Sequence, residues 1–231
     1  MKNNKILITG IIVTIIIAYI ASTYSHYINL NIDFIPNSFG THSSLLFLSI
    51  VAICLLQKYV KYRISIPKFK TLLKPIGLGI LVSLLSAVVM SITLVLSNGS
   101  NSPKMPTSNL SLIQIIIFVF IYASIAEEML FRGFLLNILK PLKEKGVSMF
   151  KRKISFAVIL SALMFGFFHV IPFNSDKTII YTTGMVIVPI LLGIVAGYYQ
   201  EKYDNNAYAI IVHMSGNLMG VIGTIVMSMT P

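Results

Sequence analysis

The sequence predicts an all-α, polytopic membrane protein with about seven transmembrane helices. Three observations lead there. Of 231 residues, 56% are hydrophobic and only 11% charged, where a soluble domain carries roughly a quarter charged residues. The mean hydropathy is +0.85. Apolar runs of about 20 residues, the length that crosses a bilayer as a helix, recur along the chain. They lack the sustained period-2 alternation of a transmembrane barrel.

The runs lie at 5–23, 42–58, 75–97, 112–139, 154–173, 179–200 and 205–228. The first contains "ILITGIIVTIIIAYI" and is read as a retained span. A leader cleaved near "ASTYS" is the alternative, and the number of later spans weighs against it. The second is the weakest, strongly apolar only from Leu45 to Leu56. Pro75 suits the start of the third, because proline is tolerated in a first helical turn. The stretch 97–109, "SNGSNSPKMPTSN", is rich in turn formers and reads as an outer loop. Asn98 and Asn109 stand there in glycosylation sequons, which matter only in a secretory pathway. Pro141 and Pro172 suit the ends of the fourth and fifth runs, and Pro189 should kink the sixth. No repeat and no separate soluble domain is evident. The organisation is therefore 1–108, three N-terminal spans and an outer loop, followed by 109–231, a four-span core.

Charge gives the expected orientation. The formal net charge is +11. With the N terminus inside, only Lys104 and Lys177 fall outside and Arg132 lies within a span. The other fifteen of the eighteen Lys and Arg residues sit in inside segments. Such asymmetry predicts a cytoplasmic N terminus and an outside C terminus. Because the basic residues are consumed by inside loops, no basic surface remains for nucleic acid. The expected partners are the lipid bilayer and a peptide or protein. The single Cys54 excludes an intramolecular disulfide and a Cys-based metal site, and reads as a packing residue. His26 and His42 lie outside the chemistry-bearing motifs and read as solvated loop residues.

One run carries charges that hydrocarbon opposes. "IAEEMLFRGF", 125–134, places Glu127, Glu128 and Arg132 inside the fourth span. Each costs about 2.5–3.5 kcal/mol at a helix centre. Glu128 and Arg132 are four apart with the acid N-terminal, the favourable order for an ion pair on one helix face. Glu127 is rotated by about 100° and needs a partner of its own. The fifth run offers "FGFFH", with Phe165 and His169 four apart, and the seventh offers "HMSGN", with His213 and Asn217 four apart. At about 1.5 Å per residue, Glu127 and Asn217 lie about 18 Å from the cytoplasmic helix ends and His169 about 22 Å. His213 and Arg132 lie at about 12 and 10 Å. The polar groups of three antiparallel-running helices thus share one band of the membrane. Phe165 reads as packing. Gly193 with Gly197 and Gly216 with Gly220 have the GxxxG spacing that lets helices approach closely.

The residue types limit the chemistry. There is no Ser–His–Asp set, and HExxH is absent. A carboxylate with an imidazole can hold a water and take its proton. His213 and Asn217 can donate hydrogen bonds to a developing oxyanion. The inferred reaction is amide hydrolysis by activated water. Glu127, His169 and His213 are also ligand types that suit zinc, and their spacing does not decide between the two.

At these residues the chain resembles the CPBP family of CAAX proteases and bacteriocin-processing enzymes, also called Abi. The family pattern EExxxR, FxxxH and HxxxN reads here as "EEMLFR" (127–132), "FGFFH" (165–169) and "HMSGN" (213–217). The resemblance covers about residues 110–228. It implies an all-helical intramembrane endopeptidase related to type II CAAX prenyl endopeptidases. By position, Glu127 and His169 would activate water, and His213 and Asn217 would serve the oxyanion. Glu128 and Arg132 complete the motif. It implies a glutamate-type mechanism with no cofactor required, over zinc at Glu127, His169 and His213. The substrate would be a membrane-associated or lipid-modified peptide or protein. Two other functions stay open at this point: a non-enzymatic immunity or regulatory scaffold of the same fold, and a proton or ion transporter, since Glu–His clusters also relay protons.

Overall fold

The computed structural model describes residues 2–24, 27, 32–96, 110–149, 152–169 and 179–229. The outer-loop residues 97–109, His26, Pro172 and Lys177 lie outside them, and so do the two sequon asparagines. Eight helices carry the described chain. They are α1 (Lys2–Tyr24), α2 (Ser38–Leu55), α3 (Leu73–Leu96), α4 (Leu112–Leu136), α5 (Phe156–Phe168), α6 (Ile179–Tyr203), α7 (Asn206–Gly216) and α8 (Leu218–Met229). A two-stranded antiparallel hairpin, β1 (Gly146–Met149) and β2 (Arg152–Ser155), pairs Gly146 with Ser155. The sequence reading placed 154–155 in a membrane span. They instead end β2, and α5 begins only when the Ser155 hydroxyl caps it by accepting from Val158 N at 3.1 Å.

Four described helices are long and apolar enough to cross a bilayer: Asn4–Thr23, Ser38–Leu55, Leu112–Leu136 and Thr183–Tyr203. Leu73–Val89 and Phe156–Phe168 are shorter apolar helices. The expected seventh span is interrupted: α7 ends at Gly216, with Asn217 as its C-cap, and α8 continues from Leu218. The chain is a multi-pass, almost wholly helical membrane protein. Its outward faces are apolar, with Ile12, Tyr19, Phe47, Leu84 and Phe167 exposed. In water that belt would drive aggregation; in a bilayer it is the lipid contact. Cys54 belongs to this outer face. It is not the packing residue its apolar run suggested, because helical rotation turns it away from the neighbouring Ala52, which is buried.

Two clusters form the interior. One joins α1, α2, α4 and α5 through Ile17, Leu45, Phe131, Phe134 and Val158. The other joins α3, α6 and α7 through Val82, Leu192, Tyr199 and Val212. The α6–α7 turn is tight because Asp204 takes φ 47°, a left-handed backbone that a short polar side chain tolerates. Asn205 caps α7 by accepting from Ala207 N at 3.1 Å. It also clamps the α2–α3 connection, donating to Ser65 O at 2.9 Å and accepting from Ser65 N at 3.1 Å. That clamp seats α3 beside α7, where the functional residues converge.

Candidate active site

α4 carries the central acids. Its start is fixed by a capping box, in which Ser111 Oγ accepts from Gln114 N at 3.4 Å and Gln114 Oε1 accepts from Ser111 N at 2.8 Å. Wide π-type turns span Ile115–Ala123 and Met129–Leu136, and a short α stretch, Ser124–Glu128, lies between them. π turns inside an α-helix are rare and concentrate at functional sites. The carbonyls of this region are not left to the helix alone. Ser161 Oγ donates to Phe131 O at 2.7 Å, Gln200 Nε2 to Arg132 O at 2.6 Å, and Asn137 Nδ2 to Gly133 O at 2.9 Å. Three polar side chains from three helices thus hold the irregular backbone in hydrocarbon, where an unpaired carbonyl is costly.

Glu128 and Arg132 are both fully buried, at 0% exposure. Arg132 Nη1 donates to Glu128 Oε1 at 3.0 Å. The guanidinium carbon stands 4.6 Å from the Phe165 ring centroid. The same Glu128 Oε1 accepts from His213 Nδ1 at 2.8 Å. A carboxylate only accepts, so this bond assigns the ring proton of His213 to Nδ1.

Glu127 points elsewhere and meets three imidazoles. His42 Nε2 is 3.3 Å from Oε1; His213 Nε2 and His169 Nε2 are 3.8 and 4.0 Å from Oε2. The last two separations exceed hydrogen-bond length. They suit a bridging water instead. His169 donates from Nδ1 to Phe165 O at 2.9 Å, so its Nε2, like that of His213, faces the carboxylate as a lone pair when the ring is neutral. Phe165 is buried as anticipated and does more than fill space: its ring packs edge-on against His169 and His213 at 4.8 and 5.4 Å. Asn217, beside His213, directs Nδ2 at Ser124 Oγ (3.2 Å) and Val119 O (3.5 Å).

A cavity of about 170 Å³ adjoins this cluster, reaching His169, His213 and Asn217 but not Glu127 itself. His169, His213 and Asn217 line it together with Val82, Val188 and Leu192 of α3 and α6. Its lining combines a few polar side chains with a majority of apolar ones, the usual make-up of a ligand site.

The structure therefore brings together Glu127, His169, His213 and Asn217, with Glu128 and Arg132 beneath them. It also corrects the reading of His42. α2 starts at Ser38, four residues before the expected run, so His42 is a helical, half-buried residue facing Glu127 and not a solvated loop residue. Sequence gave only a weak cue, since the polar first turns of α2 mask its start. Ser124, Asn137, Ser161 and Gln200 were also missed, because single polar residues in apolar runs have no distinguishing period.

The donor types around Glu127, three imidazoles and a carboxylate, are those zinc takes. Their arrangement does not match: among the described residues no three His, Cys, Asp or Glu side chains form a group that could hold a metal ion.

Residues 109–219 match the family model described as Type II CAAX prenyl endopeptidase Rce1-like. No curated protein and no solved structure matches the chain. The matched segment begins just before α4 and ends just past Asn217, so all three motifs fall within it. The chain is thus similar, over residues 109–219, just under half of its length, to the Type II CAAX prenyl endopeptidase Rce1-like family, which is a family of proteases.

Proposed function

We propose that the protein is an intramembrane endopeptidase that hydrolyses a peptide bond of a membrane-associated or lipid-modified peptide or protein, using water activated by Glu127 and His169. The observation that carries this reading is the environment of Glu127 Oε2. It is buried without a hydrogen-bond partner, and the Nε2 atoms of His169 and His213 lie 4.0 and 3.8 Å away. A water between Oε2 and Nε2 of His169 faces an acceptor on either side. It can give a proton to Oε2 while His169 orients it.

The water oxygen then attacks the scissile carbonyl carbon, and its proton passes to Oε2. The carbonyl oxygen becomes an oxyanion. Asn217, which lines the cavity, would donate to it by exchanging its Ser124 contact, and His213 would do so when protonated at both nitrogens, with Glu128 as counter-ion. Collapse of the intermediate breaks the C–N bond, and the proton on Oε2 moves to the leaving nitrogen. The mostly apolar lining of the cavity suits an extended, hydrophobic or lipid-bearing substrate.

In this reading 109–231 is the catalytic core and 1–108 a supporting set of spans. The N terminus is cytoplasmic, as the basic-residue asymmetry supports. No metal takes part, so cleavage should persist in the presence of a chelator.

The test is Glu127→Gln, which keeps shape and removes the base. Membrane peptides from cells producing the wild type or the variant at equal abundance are compared by mass spectrometry. Loss of at least one cleavage product supports the reading. A peptide inventory indifferent to Glu127 sinks it. A retained immunity phenotype would then favour the scaffold, and a lost ion flux the transporter.

A further inference from the structure

We propose that His42, on α2 and outside the matched segment, is a positioning residue for Glu127: it donates from Nε2 to Oε1 and so reserves Oε2 for the proton of the attacking water. This rests on the hydrolase reading above and adds to it a residue from the N-terminal half of the chain.

The argument begins with proton bookkeeping. Three imidazoles surround Glu127, but they are not equivalent. His169 has its ring proton engaged at Phe165 O, and His213 has its own engaged at Glu128 Oε1. In their neutral forms both turn Nε2 lone pairs toward Oε2. His42 differs. Its Nδ1 is buried with no hydrogen-bond partner, and its Nε2 stands 3.3 Å from Oε1. The proton of a neutral His42 therefore sits on Nε2, where a carboxylate accepts it. Of the three rings, His42 is the one that gives Glu127 a hydrogen bond without first gaining a second proton. One carboxylate oxygen is thereby held and the other left open beside His169 and His213. A hydrogen bond to an ionised acceptor is strong and directional, so it also fixes the plane of the carboxylate.

The fold delivers His42 to this point by contacts that do not involve it. One turn before it, Phe39 stacks on Tyr122 of α4 with centroids 5.4 Å apart. At the next residue, Ser43 Oγ and Tyr122 Oη share a hydrogen bond of 2.8 Å. Further out, Gln114 Nε2 donates to Phe34 O at 3.0 Å. These clamps set the register of α2 against α4. The His42 side chain is only 15% exposed. A histidine kept there as mere interhelical glue would affect stability alone.

The test uses the full-length protein in liposomes and a peptide whose cleavage has been shown to require Glu127. His42→Phe keeps the ring volume and removes the donor. His42→Gln restores an N–H close to the position of Nε2. The expected result is a loss of about 10²-fold in kcat for His42→Phe, the scale of a misplaced catalytic group. KM should change less than about twofold, melting temperature should hold, and His42→Gln should recover most of kcat. His42→Phe with wild-type kcat overturns the proposal while leaving the hydrolase reading intact. So do equal losses in both variants, or losses that track melting temperature. If no Glu127-dependent peptide exists, the hydrolase reading fails first and this proposal with it.

Discussion

Gly193 of α6 lies against Arg132 of α4 with no room between them for a methyl group: a Cβ on Gly193 would stand 2.6 Å from Arg132 Nη2 and 3.0 Å from Ala162. The glycine does more than allow two helices to approach. It leaves space for a fully buried guanidinium that is paired on its other side with Glu128.

Gly193→Ala should therefore be harmful out of proportion to its size. Overpacking of this kind costs about 1–3 kcal/mol, and here it also displaces the ion pair under His213. Gly197→Ala meets only Val158, at 3.1 Å, and should be milder. Gly220→Ala meets nothing within 4 Å and serves as the neutral control. Melting temperature in detergent should fall in the order 193, 197, 220.

Breaking the buried pair should be worse than removing it. Arg132→Met leaves Glu128 ionised and without its guanidinium, at a cost of about 3–5 kcal/mol. The double variant Glu128→Met with Arg132→Met should recover part of that loss in a thermal unfolding assay. It should not recover cleavage, because His213 would have lost the acceptor that orients its ring.

Asn217→Ala should lower kcat by about 10²–10³-fold with little change in KM, as expected for loss of an oxyanion donor. Ser124→Ala is the companion variant. It removes the resting partner of the Asn217 amide and should leave kcat within a few-fold of wild type. Steady-state kinetics on a cleaved peptide checks both.

Filling the cavity should separate binding from chemistry. Val188 lines the cavity along with His169 and His213. Val188→Trp should raise KM strongly, or abolish cleavage, while abundance and melting temperature stay near wild type. A KM unchanged by this substitution would place the substrate elsewhere.

Much of this molecule was legible before folding. Four of the seven expected spans recur as helices of membrane length, because a bilayer sets one scale for a crossing helix, while the third and fifth runs give shorter apolar helices and the seventh is broken at Asn217. The Glu128–Arg132 pair followed from a four-residue spacing, and the structure holds it at 3.0 Å. The hairpin at 146–155 and the break at Asn217 were not legible. Short strands and local caps depend on single hydrogen bonds, such as Ser155 Oγ to Val158 N, which apolar patterning does not register.

By itself, the sequence determined that the chain is a multi-pass helical membrane protein, and it singled out an acid, two imidazoles and an amide within its apolar runs. Hydrophobic run length and helical rise are local quantities, so a linear reading recovers them. Only the tertiary structure decided which imidazoles meet Glu127, and through which nitrogen. The position of His42 depends on how Phe39 and Ser43 dock on Tyr122 across an interhelical contact, and no periodicity along the chain encodes that docking.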